Sequence, residues 1–186
     1  MTDGTNPART LLDRKDCALV LIDFQEKLHR VIDDKDRLRD NAVRLAAFAG
    51  IVCLPVVVTE QQNLGPTLPE IKEALPAHSV FDKICFDCFG NQAFRDRLGL
   101  TNRKTLILAG IETHICVMQT ALSALSRYQV HVVADAVGSR DPRNREVALA
   151  RMQKAGVVVT STEMFMYELL REAGTDEFRA ALKLVK

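Results

Sequence analysis

Short apolar runs alternate with longer amphipathic segments along most of this 186-residue sequence. The runs are rich in Val, Ile and Leu and lack polar alternation, which is typical of strands buried on both faces of a sheet. In the segments between them, apolar residues recur at the spacing of an α-helix. Because parallel strands need long crossover connections, the alternation predicts an α/β fold with a mostly parallel sheet and helices on both faces.

Hydrophobic periodicity and turn residues place the individual elements along the chain. Strands are predicted at 17–23, 55–59, 78–83, 104–110, 130–136 and 157–161. Helices are predicted at 36–52, 91–99, 113–128, 142–156, 162–173 and 176–185. The second strand is predicted to begin at Pro55, because proline cannot donate a hydrogen bond within a central ladder.

Length and charge restrict the architecture and the partners. With 47% hydrophobic residues, the chain is predicted to form one domain over 1–186, with a flexible N-terminal segment at 1–15. A formal net charge of +1 creates no field that attracts nucleic acid or an anionic membrane, so the expected partner is a small-molecule substrate. No apolar stretch reaches the roughly 20 residues of a membrane span and no signal sequence is evident, so a cytoplasmic location is expected.

Five cysteines are an odd number in a chain large enough to fold without disulfides, so reduced thiols are expected. Cys17 and Cys53 lie in apolar runs and are predicted to be core residues. Cys85 and Cys88 form a C-F-D-C motif, which leaves a thiol-redox role open. No second pair of Cys or His residues at ligand spacing completes a zinc site with them.

Reactive side chains follow several of the predicted strands. Ligands of open parallel sheets bind beyond the carboxyl ends of the strands. Asp23 follows the first strand and Lys83 ends the third. Cys116 lies shortly after the fourth strand. The sequence therefore predicts that a carboxylate, an ammonium group and a thiol meet at one edge of the sheet.

The position of Cys116 has two interpretations. If Thr113 caps the predicted helix, Cys116 lies in its first turn, where unpaired N–H groups and the helix dipole favour a thiolate. Alternatively, Cys116 packs into the core with Val117 and Ala121, as buried cysteines often do. The spacing of the residues does not separate a nucleophile from a packing residue.

Several segments, in the same order, resemble the isochorismatase-like (cysteine hydrolase) superfamily, in its isochorismatase-domain-containing branch. They include "LIDFQEKL", "PVVVTEQ", "FDKICF", "LAGIETHICVMQTALSAL" and "VADAVGSRDPRNREVALARMQKAGV". The similarity extends from about residue 16 to residue 170. It implies a doubly wound, six-stranded sheet in the order 3-2-1-4-5-6, in which the first and fourth strands are neighbours.

The resemblance also implies site residues and a reaction. The family's catalytic triad falls on Asp23, Lys83 and Cys116, and its cis peptide bond falls between Ile111 and Glu112, where the Glu112 N–H serves as an oxyanion donor. Asp23 would take the thiol proton while Lys83 keeps Asp23 ionised. The thiolate would then attack an amide-like carbonyl to form a thioester that water hydrolyses. The implied enzyme needs no cofactor and is a homo-oligomer.

The substrate pocket is less clearly defined by the sequence. Gln25 and Gln61 either line the pocket or bond to loop amides, Phe86 is either an apolar wall or a core residue, and His114 is a further candidate for substrate binding. Nicotinamidases of the family bind a metal through Asp and His residues after the second strand. Here that segment reads "TEQQNLGPTLPE", so no metal is expected and an amide or ureido compound is the expected substrate class.

Two further function classes stay open at this point. One is a non-catalytic binding or scaffold protein that retains the fold. The other is a thiol-redox protein that uses Cys85 and Cys88.

Overall fold

The computed structural model of the protein describes residues 10–186 and confirms the predicted α/β fold. All strand pairs in its six-stranded sheet are parallel, and the order is β3-β2-β1-β4-β5-β6, as the resemblance implied. The strands are β1 (Cys17–Ile22), β2 (Val56–Gln61), β3 (His78–Lys83), β4 (Thr105–Ile111), β5 (Gln129–Gly138) and β6 (Val158–Thr160).

Helices connect the strands and cover both faces of the sheet. They are α1 (Glu26–His29), α2 (Lys35–Ile51), α3 (Pro69–Ala74), α4 (Gln92–Thr101), α5 (Met118–Ala124), α6 (Pro142–Lys154), α7 (Thr162–Leu170) and α8 (Asp176–Val185). A 3-10 turn at Cys88–Gly90 and a π-helical turn at Thr113–Val117 complete the regular structure. None of the helices within residues 10–186 has both the length and the apolar character needed to cross a membrane.

The structure differs from the sequence prediction at a few elements. The predicted helix over 113–128 is instead the π-helical turn followed by the short α5. The predicted fifth strand, 130–136, extends to Gly138 because β5 resumes pairing with β4 after a bulge. The short helices α1 and α3 were not predicted, because four and six residues are too few to establish a helical period.

Two hydrophobic clusters hold the layers together, one on each face of the sheet. Alternate residues of β1 enter different clusters, because successive side chains of a strand point to opposite faces. Leu19 and Leu21 pack in the cluster that contains Phe48 and Phe165, whose rings meet edge to face at 5.8 Å between centroids. Val20 and Ile22 pack in the opposite cluster, with residues of α4, α5 and α6. The fully buried β1 is therefore the centre of the fold.

The two cysteines predicted to be core residues have different surroundings. Cys17 is buried in β1, as predicted, but the prediction for Cys53 is wrong because Cys53 is exposed. Helix α2 ends at Ile51, and Cys53 lies in the turn before β2 with φ at 55°. The apolar run of the sequence therefore continues past the end of α2 into a surface turn. Hydrophobicity alone does not show where the helix ends.

The N-terminal segment is only partly described. Residues 1–9 of the predicted flexible segment 1–15 lie outside the described residues. Within the remainder, Leu12 is buried, and its backbone N–H donates a 2.8 Å hydrogen bond to the Glu168 side chain on α7.

Strands β1 and β4 approach each other closely where they end. Ile22 pairs with Gly110, and a Cβ atom at Gly110 would lie 2.6 Å from the Ile22 Cβ and closer still to the Ile22 carbonyl oxygen. This distance is far inside van der Waals contact, so only glycine allows the approach. Asp23 follows directly after Ile22, so the close approach also determines the position of that carboxylate.

We expect Gly110→Ala to lower the free energy of unfolding by at least roughly 2 kcal/mol, because the methyl group forces the two strands apart. Gly99 is a matched control, since it lies in α4 and a Cβ atom added there would meet no other atom within 4 Å. Gly99→Ala should raise the free energy of unfolding by about 0.5 to 1 kcal/mol. Urea unfolding of both variants measures the effects, and an alanine at position 110 that leaves stability unchanged would contradict the steric argument.

A buried histidine, His131, lies on β5, beside the edge strand β6. Neither of its ring nitrogens has a hydrogen-bond partner among the described residues. Burial lowers the pKa of His131 from 6.5 to about 4, because the charged imidazolium loses its hydration. The folded protein therefore holds this imidazole neutral.

We expect the free energy of unfolding to fall as the pH decreases from about 6.5 to about 4, because only the unfolded chain protonates His131 in this range. The loss attributable to this group is on the order of 3 kcal/mol. His131→Leu should remove it, whereas His78→Gln, at an exposed histidine, should leave it unchanged. Urea unfolding at several pH values tests this. An unaltered pH dependence in His131→Leu would show that other groups cause the loss.

Candidate active site

Asp23 lies in the turn directly after β1, at the carboxyl edge of the sheet. Its backbone is in the left-handed region, with φ at 56°, which aspartate tolerates better than most residues. The Asp23 N–H donates a 3.1 Å hydrogen bond to the Thr59 carbonyl on β2. The side chain is thereby directed into a fully buried position between the strand ends.

Lys83, the last residue of β3, is also buried and meets Asp23 directly. Its Nζ lies 2.6 Å from Asp23 Oδ2, 2.8 Å from Gln61 Oε1 and 3.7 Å from Cys116 Sγ. An ammonium group has three N–H donors, and these three partners account for all of them. Because both charged side chains are fully excluded from solvent, this is a buried ion pair.

Cys116 and Thr59 complete the surroundings of the Asp23 carboxylate. The Thr59 hydroxyl donates a 2.8 Å hydrogen bond to Asp23 Oδ1. The Cys116 thiol also forms a side-chain hydrogen bond with Asp23. The structure thus brings together the three residues that the strand ends predicted, and adds a threonine.

The burial of the site determines its protonation. Burial raises the pKa of Asp23, and the charge and hydrogen bond of Lys83 offset this only in part. Burial acts to lower the pKa of Lys83, but the negative charge of Asp23 and the neighbouring thiols hold that pKa above its ordinary value. The ammonium group therefore stays charged, while the carboxylate is a stronger base than an exposed aspartate.

The thiol of Cys116 is protonated in the resting site. Burial and the nearby Asp23 carboxylate raise its pKa, with Lys83 opposing them. The expectation that a helix start favours the thiolate is therefore wrong, because the carboxylate and the loss of solvent dominate at this position. A thiol with a raised pKa acts as a nucleophile only after a base has removed its proton.

The segment before Cys116 is held by Glu112. The Ile111–Glu112 peptide bond is cis. The Glu112 carbonyl accepts hydrogen bonds from the N–H groups of Ile115 and Val117, at 3.1 and 3.3 Å, on either side of Cys116. The Glu112 side chain accepts bonds of 3.0 and 2.9 Å from the backbone N–H and Nε of Arg140. Backbone and side chain of Glu112 thus fix the turn that carries the thiol.

The two glutamines that were candidates for substrate binding form hydrogen bonds within the protein. The Gln25 amide bonds to the backbone N–H and carbonyl of Gln61, at 2.8 and 3.0 Å, and to the Gly65 carbonyl. This arrangement agrees with the loop-amide interpretation of Gln25. The Gln61 side chain accepts from Lys83 and donates a 2.7 Å bond to the Ile84 carbonyl. Gln61 therefore orients the ammonium group.

Phe86 and His114 lie outside this hydrogen-bond network. The core interpretation of Phe86 is wrong, because its exposed fraction is 53%. His114 is partly buried, and its Nδ1 lies 3.0 Å from the Ser139 hydroxyl and 3.8 Å from a Glu112 oxygen. Among the described residues, no hydrogen bond joins either side chain to Asp23, Lys83 or Cys116.

Cys88 is buried beside the site, and Cys85 is half-buried. Burial raises the pKa of Cys88 to about 12, which makes its thiol a poor nucleophile near neutral pH. Both cysteines are free thiols. Within residues 10–186, no three His, Cys, Asp or Glu side chains group in a way that would hold a metal ion.

Thr59 is the site residue that the sequence analysis missed. It is the first polar residue after the valines of β2, and its register opposite Ile22 places it beside Asp23. Threonine is common in strands, so its presence at that point gave no separate signal. Only the strand order, together with the register, identifies it.

The comparisons with known proteins agree with this architecture. A family model for the isochorismatase domain matches residues 17–164. The chain belongs to the isochorismatase family. The resemblance stated from the sequence segments is therefore confirmed.

Isochorismatase-family proteins from distant organisms are similar over most of the chain. Isochorismatase domain-containing protein 2A of Mus musculus is 36% identical over 174 residues, which are 90% of this chain and 82% of the mouse protein. The structure of MAR1 ribonuclease from Caenorhabditis elegans has a TM-score of 0.89 and 34% identity, covering 95% of this chain and 92% of that chain.

A bacterial member of the isochorismatase fold is almost as similar. The structure of the YcaC gene product from Escherichia coli has a TM-score of 0.88 and 30% identity, covering 94% of this chain and 89% of that chain. It is described as an octameric hydrolase of unknown specificity. The hydrolase-type fold is thus common to this chain and its relatives.

Proposed function

We propose that this protein is a cysteine hydrolase that cleaves the C–N bond of a small amide-like substrate, with Asp23, Lys83 and Cys116 as its catalytic triad. The observation that carries the proposal is the buried contact of a carboxylate, an ammonium group and a thiol at the carboxyl edge of the sheet. A site of this kind supplies a nucleophile and its general base together.

In the first step, Cys116 Sγ attacks the carbonyl carbon while its proton moves to Asp23. The raised pKa of Asp23 suits it to accept this proton, and the charged Lys83 balances the negative charge that develops on the substrate. The N–H groups of Glu112 and Cys116 are the proposed oxyanion donors. The charge is then stabilised where water is excluded.

In the second step, the tetrahedral intermediate collapses. The C–N bond breaks, Asp23 returns its proton to the departing nitrogen, and a thioester to Cys116 remains. A water molecule, deprotonated by Asp23, then attacks the thioester carbon. The C–S bond breaks, the proton returns to Cys116, and a carboxylic acid is released, so that one water is consumed for each C–N bond cleaved.

The proposal requires no cofactor or metal, since proton transfer and charge stabilisation are assigned to side chains and backbone groups. It also places the protein in a reducing, cytoplasmic setting, because the mechanism needs Cys116 as a thiol and all five cysteines are free. A protein with this fold but without the triad contacts would be a binding or scaffold protein. The thiol-redox alternative is weaker, because burial raises the pKa of the Cys88 thiol and makes it a poor nucleophile.

Screening small C–N compounds for release of ammonia or amine should identify an amide or ureide that the parent protein cleaves. We expect turnover of that compound to fall at least about 100-fold in Cys116→Ala, Asp23→Asn and Lys83→Met. Cys53→Ala is the matched control, because this exposed cysteine lies away from the site. Mass spectrometry of acid-quenched enzyme should find the acyl group on the Cys116 peptide. Thermal unfolding verifies that each variant is folded.

Full turnover in a folded Asp23→Asn or Cys116→Ala variant would contradict the proposal. Cleavage of an oligoribonucleotide by the parent, unaffected by Cys116→Ala, would point instead to the activity in the name of the Caenorhabditis elegans relative. Absence of turnover on every compound, with no acyl mass on Cys116, would favour a scaffold role.

We also propose that the protein is a homo-oligomer. The Escherichia coli relative is described as octameric, and α7 of this chain exposes Met164 and Tyr167 on its surface. Exposed apolar side chains on a helix are a common component of subunit interfaces.

Sedimentation velocity should therefore find a species at a multiple of the 20.7 kDa chain mass. Met164→Glu should shift the distribution toward monomer, because it places a charge in the proposed interface. A monomer at every concentration tested would contradict the proposal.

A further inference from the structure

The Thr59 hydroxyl lies between the Asp23 carboxylate and a second buried thiol. It donates to Asp23 Oδ1 at 2.8 Å, and the Cys88 thiol lies 3.8 Å from the same hydroxyl oxygen. Thr59 and Asp23 are fully buried, as is Cys88. The Thr59 carbonyl also accepts the Asp23 N–H, so one residue holds both the backbone and the side chain of Asp23.

Asp23 has to exist in two charge states if it shuttles the Cys116 proton. A buried polar group is costly whenever it lacks a hydrogen-bond partner, and water is excluded from this position. The ionised carboxylate needs donors, whereas the protonated acid needs an acceptor for its own O–H. A hydroxyl can rotate to serve either form, because it is both a donor and an acceptor.

We propose that Thr59 is a positioning residue that, together with Cys88, provides hydrogen-bond partners for the Asp23 side chain in both of its charge states. Thr59 thereby sets the pH at which Asp23 can act as a base. The inference rests on the proposed function. With Asp23 ionised, Thr59 donates to Oδ1 and accepts from the Cys88 thiol. With Asp23 protonated, the Thr59 hydroxyl accepts a hydrogen bond from the acid and donates one to the Cys88 sulfur. Only the direction of these hydrogen bonds changes, and neither Thr59 nor Cys88 gains or loses a proton.

The other groups that face Asp23 stay in place when the hydroxyl alone is removed. They are Lys83 from β3, Cys116 from the π-helical turn and Cys88 from the 3-10 turn. Valine has almost the shape of threonine and is a good strand former. Thr59→Val therefore removes one donor from the carboxylate with little change in packing, and the pKa of Asp23 should rise.

The test measures the rate at which iodoacetamide alkylates Cys116, by peptide mass spectrometry, from about pH 5 to about pH 9. In the parent protein, the rate should fall on the acid side as Asp23 becomes protonated and ceases to accept the thiol proton. We expect the midpoint of this fall to move upward by about one pH unit in Thr59→Val and in Thr59→Ala, since hydrogen bonds to charged groups are worth more than neutral ones. Thr59→Ser should restore the parent midpoint.

A matched control is available on β6. Thr160 is also a buried strand threonine, but its hydroxyl has no hydrogen-bond partner among the described residues. Thr160→Val should leave the midpoint unchanged. A shift of equal size in Thr160→Val would show that loss of any buried hydroxyl has this effect, and would overturn the inference.

The outcomes separate this inference from the function on which it rests. If Asp23→Asn moves the midpoint of the acid-side fall but Thr59→Val leaves it unchanged, Asp23 is the base and the role of Thr59 is overturned. If Asp23→Asn leaves the fall unchanged, or if Cys116 is not alkylated anywhere in the range, the proposed base or nucleophile is itself wrong and the inference fails with it.

Discussion

The buried ion pair between Asp23 and Lys83 is the interaction on which the rest of the site depends. Removing two charges from water is costly, and the cost is offset only where good geometry and additional hydrogen bonds satisfy both groups. Thr59 supplies one of these bonds to Asp23, and Gln61 supplies another to Lys83. Deleting either charge leaves the other buried and unpaired, at about 3 to 5 kcal/mol. The same contact therefore affects stability, and it holds two oppositely charged groups beside Cys116.

The order of the strands is what makes this pair possible. Asp23 follows the central β1, whereas Lys83 ends the edge strand β3, two positions away across β2. The side chains bridge that distance because both point into the space beyond Thr59. Cys116 reaches the same space from the other neighbour of β1, since the close approach at Gly110 brings the end of β4 against Ile22. An additional strand between β1 and either β3 or β4 would separate these residues by another strand spacing of roughly 5 Å.

Much of this arrangement could be predicted from the sequence, and the exceptions have physical causes. The strand ends identified Asp23, Lys83 and Cys116, because polar residues stand out after apolar runs. Thr59 was missed since a β-branched residue inside a strand looks ordinary. The two interpretations of Cys116 stayed open because the sequence suggests a helix start, which favours a thiolate, but does not show how deeply the thiol is buried beside a carboxylate, which raises its pKa. Cys53 was misplaced because an apolar run extended beyond the end of α2.

Lys83 is contributed by the outermost strand on its side of the sheet, and this has a consequence for dynamics. Alternate residues of β3 are exposed, whereas β1 and β4 are buried throughout. Edge elements with few apolar contacts open locally at a lower free energy than the core. Two side-chain hydrogen bonds hold the end of β3 in place. Gln61 donates to the Ile84 carbonyl, and Asn91 donates to the Asp82 carbonyl. Local opening of β3 therefore separates Lys83 from Asp23 at a lower free energy than opening of the central strands β1 and β4.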